Sequence, residues 1–270
     1  MLKTIEKRTS IRSYQAKSLS NADQNLLKEI INRVEIKKGP FNHQARFFYV
    51  NNTNKNKQTI GTYGFVKNPP AFIGGITKNT SKAMVDFGFL FEEIILHLTK
   101  QDIGTVWLGG TFHRKDFSLQ VYEDEMIAAI SPVGYPAVPS LREKAIRKIT
   151  KADKRLDFET LFFSGKELAA IKDSNPYYKY FQAVQYAPSA SNKQPWRIVL
   201  IDNTFHLYLK RTKGYRGKLQ MDIQSIDIGI ALFHLYITLK EDGYNLEFIH
   251  QSPLKLDLSE YIISLKASKS

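Results

Sequence analysis

The sequence contains no cysteine, which removes disulfides, thiolate nucleophiles and every cysteine-based metal site together. Redox chemistry in such a chain has to be carried by a bound cofactor. No stretch approaches the roughly 18 uninterrupted apolar residues that a membrane-spanning helix needs, so no membrane partner is expected. Residues 1–8 lack the apolar segment of a signal peptide, which points to a cytoplasmic protein. The histidines His43, His97, His113, His206, His234 and His250 form no pair at helical ligand spacing beside a carboxylate, and no metal site is predicted. His97 and His234 fall inside predicted helices and read as packed or surface residues. The absence of a Gly-x-Ser-x-Gly elbow and of a Gly-x-x-x-x-Gly-Lys loop removes support for hydrolase and nucleotide-triphosphatase readings.

What is present is enough to fold. A chain of 270 residues with 43% hydrophobic and 12% aromatic content can bury a sizeable core. The formal charge of +13 raises the question of nucleic acid, since clustered Lys and Arg release counterions from a phosphate backbone. The lysines, however, are scattered, with local concentrations only at 142–155 and 210–218, and neither a zinc finger nor an RNP-type aromatic run accompanies them. Nucleic acid is therefore not expected as the main partner, whereas attraction for a phosphorylated cofactor fits the same charge.

Apolar spacing predicts helices over residues 21–37, with Ser20 or Asn21 as N-cap, and over 84–99, 177–186 and 226–241. Strands are predicted at 45–50, 71–76, 126–133, 196–202, 205–209 and 246–250, with turn-rich stretches at 51–57 and 134–136. Gly88 marks a place where a neighbour can approach its helix closely. The chain also repeats itself. Asp86-Phe87-Gly88 heads one long helix and Asp227-Ile228-Gly229 another, while Asn42-His43-Gln44 and Asn192-Lys193-Gln194 each precede a strand in the same order. Two such units fused in one chain would leave a single site made from complementary pieces of each.

Two constellations carry chemistry. Arg8, Ser10 and Arg12 alternate, so an extended backbone projects two guanidiniums and a hydroxyl to one side. That arrangement suits a phosphate, and equally describes a solvated basic segment. The second is the loop Ala187-Pro188-Ser189-Ala190-Ser191-Asn192-Lys193-Gln194-Pro195-Trp196. Its small hydroxyl and amide residues allow a flat ring with carbonyls and ring nitrogens to come close, and they also suit a plain helix-ending turn.

Together, Arg8-Thr9-Ser10-Ile11-Arg12-Ser13-Tyr14 and the ten residues 187–196 resemble the two signature segments of the nitroreductase family of FMN enzymes. The second segment, with Pro, Ser, Asn, Gln, Pro and Trp in family order, is the more specific. The chain looks like the duplicated branch, in which one polypeptide mimics the usual homodimer. The resemblance implies that Arg8 and Ser10 face the FMN phosphate and ribityl chain and that Arg12 faces the N1/O2 edge of the ring. It places Pro188, Ser189, Ala190 and Asn192 along the ring, with Ser191 and Gln194 supporting the loop. It puts the backbone of Gly109 and Gly110, in Trp107-Leu108-Gly109-Gly110, towards N5 and O4, although a Gly-Gly pair is also simply a turn. Arg155 is the preferred phosphate ligand in the basic stretch, with Lys154 and Arg147 as alternatives, and Tyr63-Gly64-Phe65 either borders the ring or is a loop.

The expected fold is α+β, nitroreductase-like, with two pseudo-symmetric halves, residues 1–160 and 161–270. Each half has an antiparallel-rich sheet, and the two meet over the long apolar helices. The expected function is that of an NADH- or NADPH-dependent FMN oxidoreductase acting on a small-molecule electron acceptor, working as a monomeric pseudo-dimer. The alternative on the same scaffold is a non-catalytic protein that sequesters flavin or binds nucleic acid through its basic surface.

Overall fold

A helix whose apolar residues lie on every face can only be stable when it is covered on every side. The run Ser81–Lys100 is of this kind. In the computed structural model of the protein, which describes residues 1–52, 61–213, 221–251 and 259–269, all its side chains from Ala83 to Leu96 are withdrawn from solvent. The predicted turn at 51–57 and basic stretch at 210–218 lie largely outside the described residues.

In chain order the first elements are α1 (Leu2–Lys7), α2 (Asn21–Glu35), β1 (Arg46–Asn51), β2 (Ala71–Lys78), α3 (Ser81–Lys100), β3 (Gly104–Thr105) and β4 (Glu125–Gly134). There follow α4 (Leu141–Ile149), α5 (Phe158–Leu161), β5 (Phe162–Ser164), β6 (Ala169–Ala170) and α6 (Tyr178–Gln185). The remaining elements are β7 (Trp196–Ile201), β8 (Thr204–Leu209), α7 (Ile223–Glu241), β9 (Asn245–Ile249) and β10 (Glu260–Ser268).

The strands form two sheets. The first, ordered β1-β2-β4-β3, is antiparallel throughout. The second, ordered β6-β5-β7-β8-β10-β9, is antiparallel apart from the parallel pair β5 and β7. Helix α3 packs on the first sheet, where Phe91 stacks on Phe47 at 5.8 Å and on Phe87 at 5.3 Å between ring centroids. Helix α7 packs on α6 and the second sheet, and α3 and α7 pack on each other. Side-chain caps start α2 and α3: Ser20 Oγ, one of the two expected caps, accepts from the Asp23 N–H of α2 at 3.1 Å, and Thr80 Oγ1, which the sequence reading did not name, accepts from the Ala83 N–H of α3 at 3.3 Å.

The crossing of α3 and α7 depends on two glycines. A Cβ added to Gly88 would lie 2.2 Å from the Ile226 carbonyl oxygen, and one added to Gly229 would lie 2.0 Å from the Val85 carbonyl oxygen. Backbone touches backbone here, so the close approach anticipated at Gly88 is met by a second glycine at the matching place of the repeat. Around the crossing, Phe89 packs edge-on to Phe233 at 5.0 Å and to Tyr236 at 5.2 Å.

Seven elements go beyond the sequence reading: the short β3, α5, β5 and β6, and three more. Helix α1 precedes the Arg-Ser-Arg segment. Helix α4 forms within the basic stretch, started by the Ser140 hydroxyl, which accepts from the Glu143 N–H at 3.2 Å, rather than by an apolar stripe. Strand β10 inserts between β8 and β9.

Candidate functional site

The segment that follows α1 is extended, as alternation requires. Ser10 bridges to Thr105 of β3, and the Ile11 N–H donates to the Thr105 carbonyl at 2.9 Å. Tyr14 is fully buried and pins the far end, its hydroxyl donating to the Ile11 carbonyl at 2.7 Å. Arg8, Ser10 and Arg12 thereby line one side of a cleft with about 860 Å³ of empty space, part of it open to solvent. That lies in the range of small-molecule and cofactor sites.

The opposite wall comes from far along the chain. Pro188, Ser189, Ala190, Ser191 and Asn192 line it, with Ile223, Ile226, Asp227 and Ile230 of α7 at the three-and-four spacing that puts them on one helix face. Leu108 pairs with Ile130 of β4 through two hydrogen bonds and is buried, so its neighbours Trp107 and Gly109 turn to the cleft. Gly110 is exposed and does not line it. Gly109 passes so close to α7 that an added Cβ would meet Ile223 Cδ1 at 2.6 Å.

The loop is strained and tied down. Ser191, Asn192 and Gln194 have φ of 49°, 54° and 48°, left-handed values that cost free energy for residues other than glycine and that concentrate at functional sites. Asn192 Nδ2 donates to the Lys151 and Lys154 carbonyls at 2.7 and 2.8 Å. Ser189 Oγ accepts from the Gln194 N–H at 2.8 Å, and the Gln194 side chain accepts from the Leu156 N–H at 2.9 Å. These bonds hold the turn after α4 against the loop.

From the end of α4 and that turn, Arg147 and Arg155 respectively join the cleft, whereas Lys154 lines a neighbouring groove with Lys151 and Lys193. Of the three candidates in the basic stretch, the two arginines line this cleft and Lys154 does not. Tyr63 is exposed, while Gly64 and Phe65 border a separate pocket on the other side of Arg12.

Four guanidiniums share this cleft, and it cannot satisfy them alone. Arg8 Nε, Arg12 Nη1 and Arg155 Nε are buried and have no hydrogen-bond partner among the described residues. Burial lowers the pKa of Arg8; Glu92 opposes the shift and Arg147 adds to it. Burial likewise lowers Arg155, with Arg8 adding to the effect. Arg12 is lowered by burial against the pull of Glu143, which also accepts from the Arg12 N–H at 3.1 Å. Buried cationic donors with unmet bonds are poised for an anion with several oxygens.

Behind Arg8 lies a buried polar chain. Trp107 Nε1 donates to Glu92 Oε2 at 2.7 Å, and Glu92 Oε1 lies 2.9 Å from His234 Nε2. His234 Nδ1 lies 2.8 Å from the Ala183 carbonyl, and because a carbonyl only accepts, that nitrogen carries a proton. His234 is thus a packed residue bonded at both nitrogens. Among the described residues no group of three or more His, Asp or Glu side chains is placed to hold a metal, and no helix is long and apolar enough to cross a membrane.

Asp227 is the charged one among the lining residues that sequence reasoning missed, which also include Thr150, Ala152 and Ile223. It entered only as part of the repeated Asp-x-Gly, although a lone carboxylate within Ile226–Ile230 was signal enough to ask what it faces.

Two sheets on a crossed helix pair, with an arginine-lined cleft at the crossing, make this an α+β protein of nitroreductase-like fold. The chain belongs to the family described as "Putative TM nitroreductase", whose sequence profile matches residues 1–239. Among solved structures, the Thermotoga maritima protein of the same designation shares 20% identity and a TM-score of 0.61, with 98% of this chain and 92% of that chain covered. A nitroreductase with bound FMN from Bacteroides fragilis shares 20% identity over 52% of this chain and 90% of its own, at a TM-score of 0.40. A nitroreductase family protein from Clostridium difficile shares 17% identity over 55% and 91%, at 0.40. No curated protein matches the sequence.

Proposed function

We propose that the protein is an FMN-dependent oxidoreductase that takes a hydride from NADH or NADPH and passes it to an electron-poor acceptor such as a nitroaromatic or a quinone. The observation that carries this reading is the set of buried, unpartnered arginine nitrogens on Arg8, Arg12 and Arg155 in a cleft whose opposite wall is built largely of small residues and isoleucines. Such donors fit a phosphate-tailed ring, and the family designation is that of an oxidoreductase. Bound FMN would supply hydride acceptance and donation at its N5.

The protein's residues bind, orient and tune. Arg8 and Arg155, with Ser10 between the walls and Arg147 beside them, would hold the phosphate and ribityl chain. Arg12 would stand at the N1/O2 edge, where a cation favours the negative charge of the reduced ring. Pro188, Ser189, Ala190, Ser191 and Asn192 would line the ring, and Gly109 would let backbone approach it. The walls come from residues 1–160 and 161–270, which supports one polypeptide acting as a pseudo-dimer, each half contributing what the other lacks.

The test is the absorbance spectrum of the purified protein, followed by titration with FMN. Wild type is expected to bind FMN and to oxidise NADH or NADPH steadily with a nitroaromatic or quinone. The double variant Arg8→Ala with Arg12→Ala is expected to lose the flavin, and a fully loaded yellow double variant refutes the assignment. Flavin retained without turnover indicates sequestration instead, and salt-sensitive retention on DNA without turnover indicates nucleic-acid binding.

A further inference from the structure

The two halves carry the same aspartate on their central helices, two residues before each crossing glycine, and surround it differently. On α3, Asp86 Oδ1 accepts from the Phe41 N–H at 2.8 Å, while Oδ2 accepts from the His43 N–H at 2.9 Å and meets His43 Nδ1 at 2.8 Å. Gly39 closes over it, since a Cβ there would lie 2.5 Å from Oδ1. Asp86 therefore holds the loop before β1 and is satisfied by it.

On α7, Asp227 Oδ1 accepts from the Ala190 N–H at 2.9 Å and so holds the corresponding loop before β7. Its Oδ2 is buried, has no hydrogen-bond partner among the described residues, and belongs to a side chain that lines the cleft. The residue that matches His43 in the repeat is Lys193, which is exposed and makes no bond to Asp227 Oδ2. The position that His43 covers in the first half is thus, in the second, turned to the cleft.

We propose that Asp227 reads a hydrogen-bond acceptor on the cleft's occupant, its Oδ2 hydroxyl donating to a carbonyl oxygen or ring nitrogen. The inference rests on the FMN reading, because that ring offers both kinds of acceptor. An ionised carboxylate with one amide bond and 2% exposure is an unfavourable state, whereas a neutral acid has one donor to give. Burial pushes the Asp227 carboxyl well above its ordinary range; the Ala190 N–H opposes this and Asp222 adds to it. The other charged groups on the cleft are Arg8 and Arg12, on the opposite wall, and Arg147 and Arg155, from the end of α4 and the turn after it, while Asp86 and Glu92 of α3 are engaged by His43 and His234. Asp227 thus selects for an acceptor, while the arginines select for an anion.

The experiment measures FMN dissociation constants from flavin fluorescence quenching, across pH, for wild type, Asp227→Asn and Asp227→Leu. The amide of Asp227→Asn still accepts from Ala190 and still donates, so its affinity stays within about threefold of wild type and is independent of this group's titration. Asp227→Leu loses both functions and binds about tenfold or more weakly. Wild-type binding weakens as pH rises and the acid ionises. Wild-type binding that strengthens or stays level with rising pH, or an Asn variant as weak as the Leu variant, overturns the proposal.

A wild type that binds no FMN overturns the FMN reading instead. The inference is then decided by carboxyl-carbon NMR of the ligand-free protein: titration in the ordinary aspartate range overturns it, and titration well above that range upholds the donor.

Discussion

Replacing Gly229 by alanine adds one methyl group at the place where α3 and α7 have no room for it. The new Cβ would sit 2.0 Å from the Val85 carbonyl oxygen and 2.7 Å from the Phe89 nitrogen, against 3.4 Å for an ordinary contact. Both atoms belong to a helical backbone, so no side chain can swing away, and the helices must part by more than 1 Å. Alanine's better helix propensity returns about 1 kcal/mol. Overpacking of a close-packed interior costs about 1–3 kcal/mol and sometimes more, and loosening the Phe89, Phe233 and Tyr236 contacts puts this site at the upper end. A net loss of about 2 kcal/mol or more follows, which lowers Tm by about 4–8 °C in a chain of this size. Calorimetric or circular-dichroism melts read it directly. Gly243→Ala is the contrast: an added Cβ meets nothing within 4 Å, and its φ of +81° costs only about 1 kcal/mol. Gly88→Ala combined with Gly229→Ala should cost less than the sum of the two, because one separation of the helices serves both. A Gly229→Ala protein that melts at or above wild type refutes the argument.

Three further outcomes are expected. Burial opposes ionisation of Asp222, but hydrogen bonds from Arg211, Ser81 and Ser225 outweigh it and hold the carboxyl at about 2. A depressed folded value gives stability that is present above about pH 4 and lost as pH falls towards 2, worth about 2 kcal/mol at most; Arg211→Ala should remove most of this acid dependence in urea unfolding, and an unchanged profile counts against it. His234→Ala leaves Glu92 Oε1 without its partner inside the fold and should cost about 3 kcal/mol, read by denaturant titration; a loss below about 1 kcal/mol shows that the pair is not energetically linked. Asn192→Ala removes both bonds to the turn after α4, so trypsin should cut after Lys151 and Lys154 faster than in wild type, and equal rates contradict the clamp.

The parts of the fold that could be read from sequence are those in which one periodic signal dominates. Leu27, Ile30, Ile31 and Val34 of α2 follow helical spacing and are all buried, and the apolar runs of α3 and α7 leave no alternative to burial. Helix α4 escaped because its side chains Leu141 and Ile149 are exposed and its buried residue is Glu143, so the apolar pattern carried no information. Strand β10 escaped because a register shift between Tyr261 and Ile263 breaks its alternation.

At the site, the short-range motifs brought Arg8, Ser10, Arg12 and residues 188–192 to one cleft. Spacing could not choose among Arg147, Lys154 and Arg155, because the answer depends on how the turn after α4 is tied to Asn192, a long-range bond that leaves no local trace. Asp227 was hidden for the same reason: its significance is a difference from Asp86 that appears only when the partners of both are known.

The placement of β10 also bears on how the chain is made. Among the described residues β9 pairs only with β10, and β10 pairs on its other side with β8, so the sheet has a gap beside β8 until residues 260–268 arrive. During synthesis that gap stays open although α7, already emerged, can pack on α3, α6 and β8. A stalled or clipped product ending before Glu260 would carry β9 as an unattached ribbon and β8 as a bare edge, which is the kind of surface that recruits other chains.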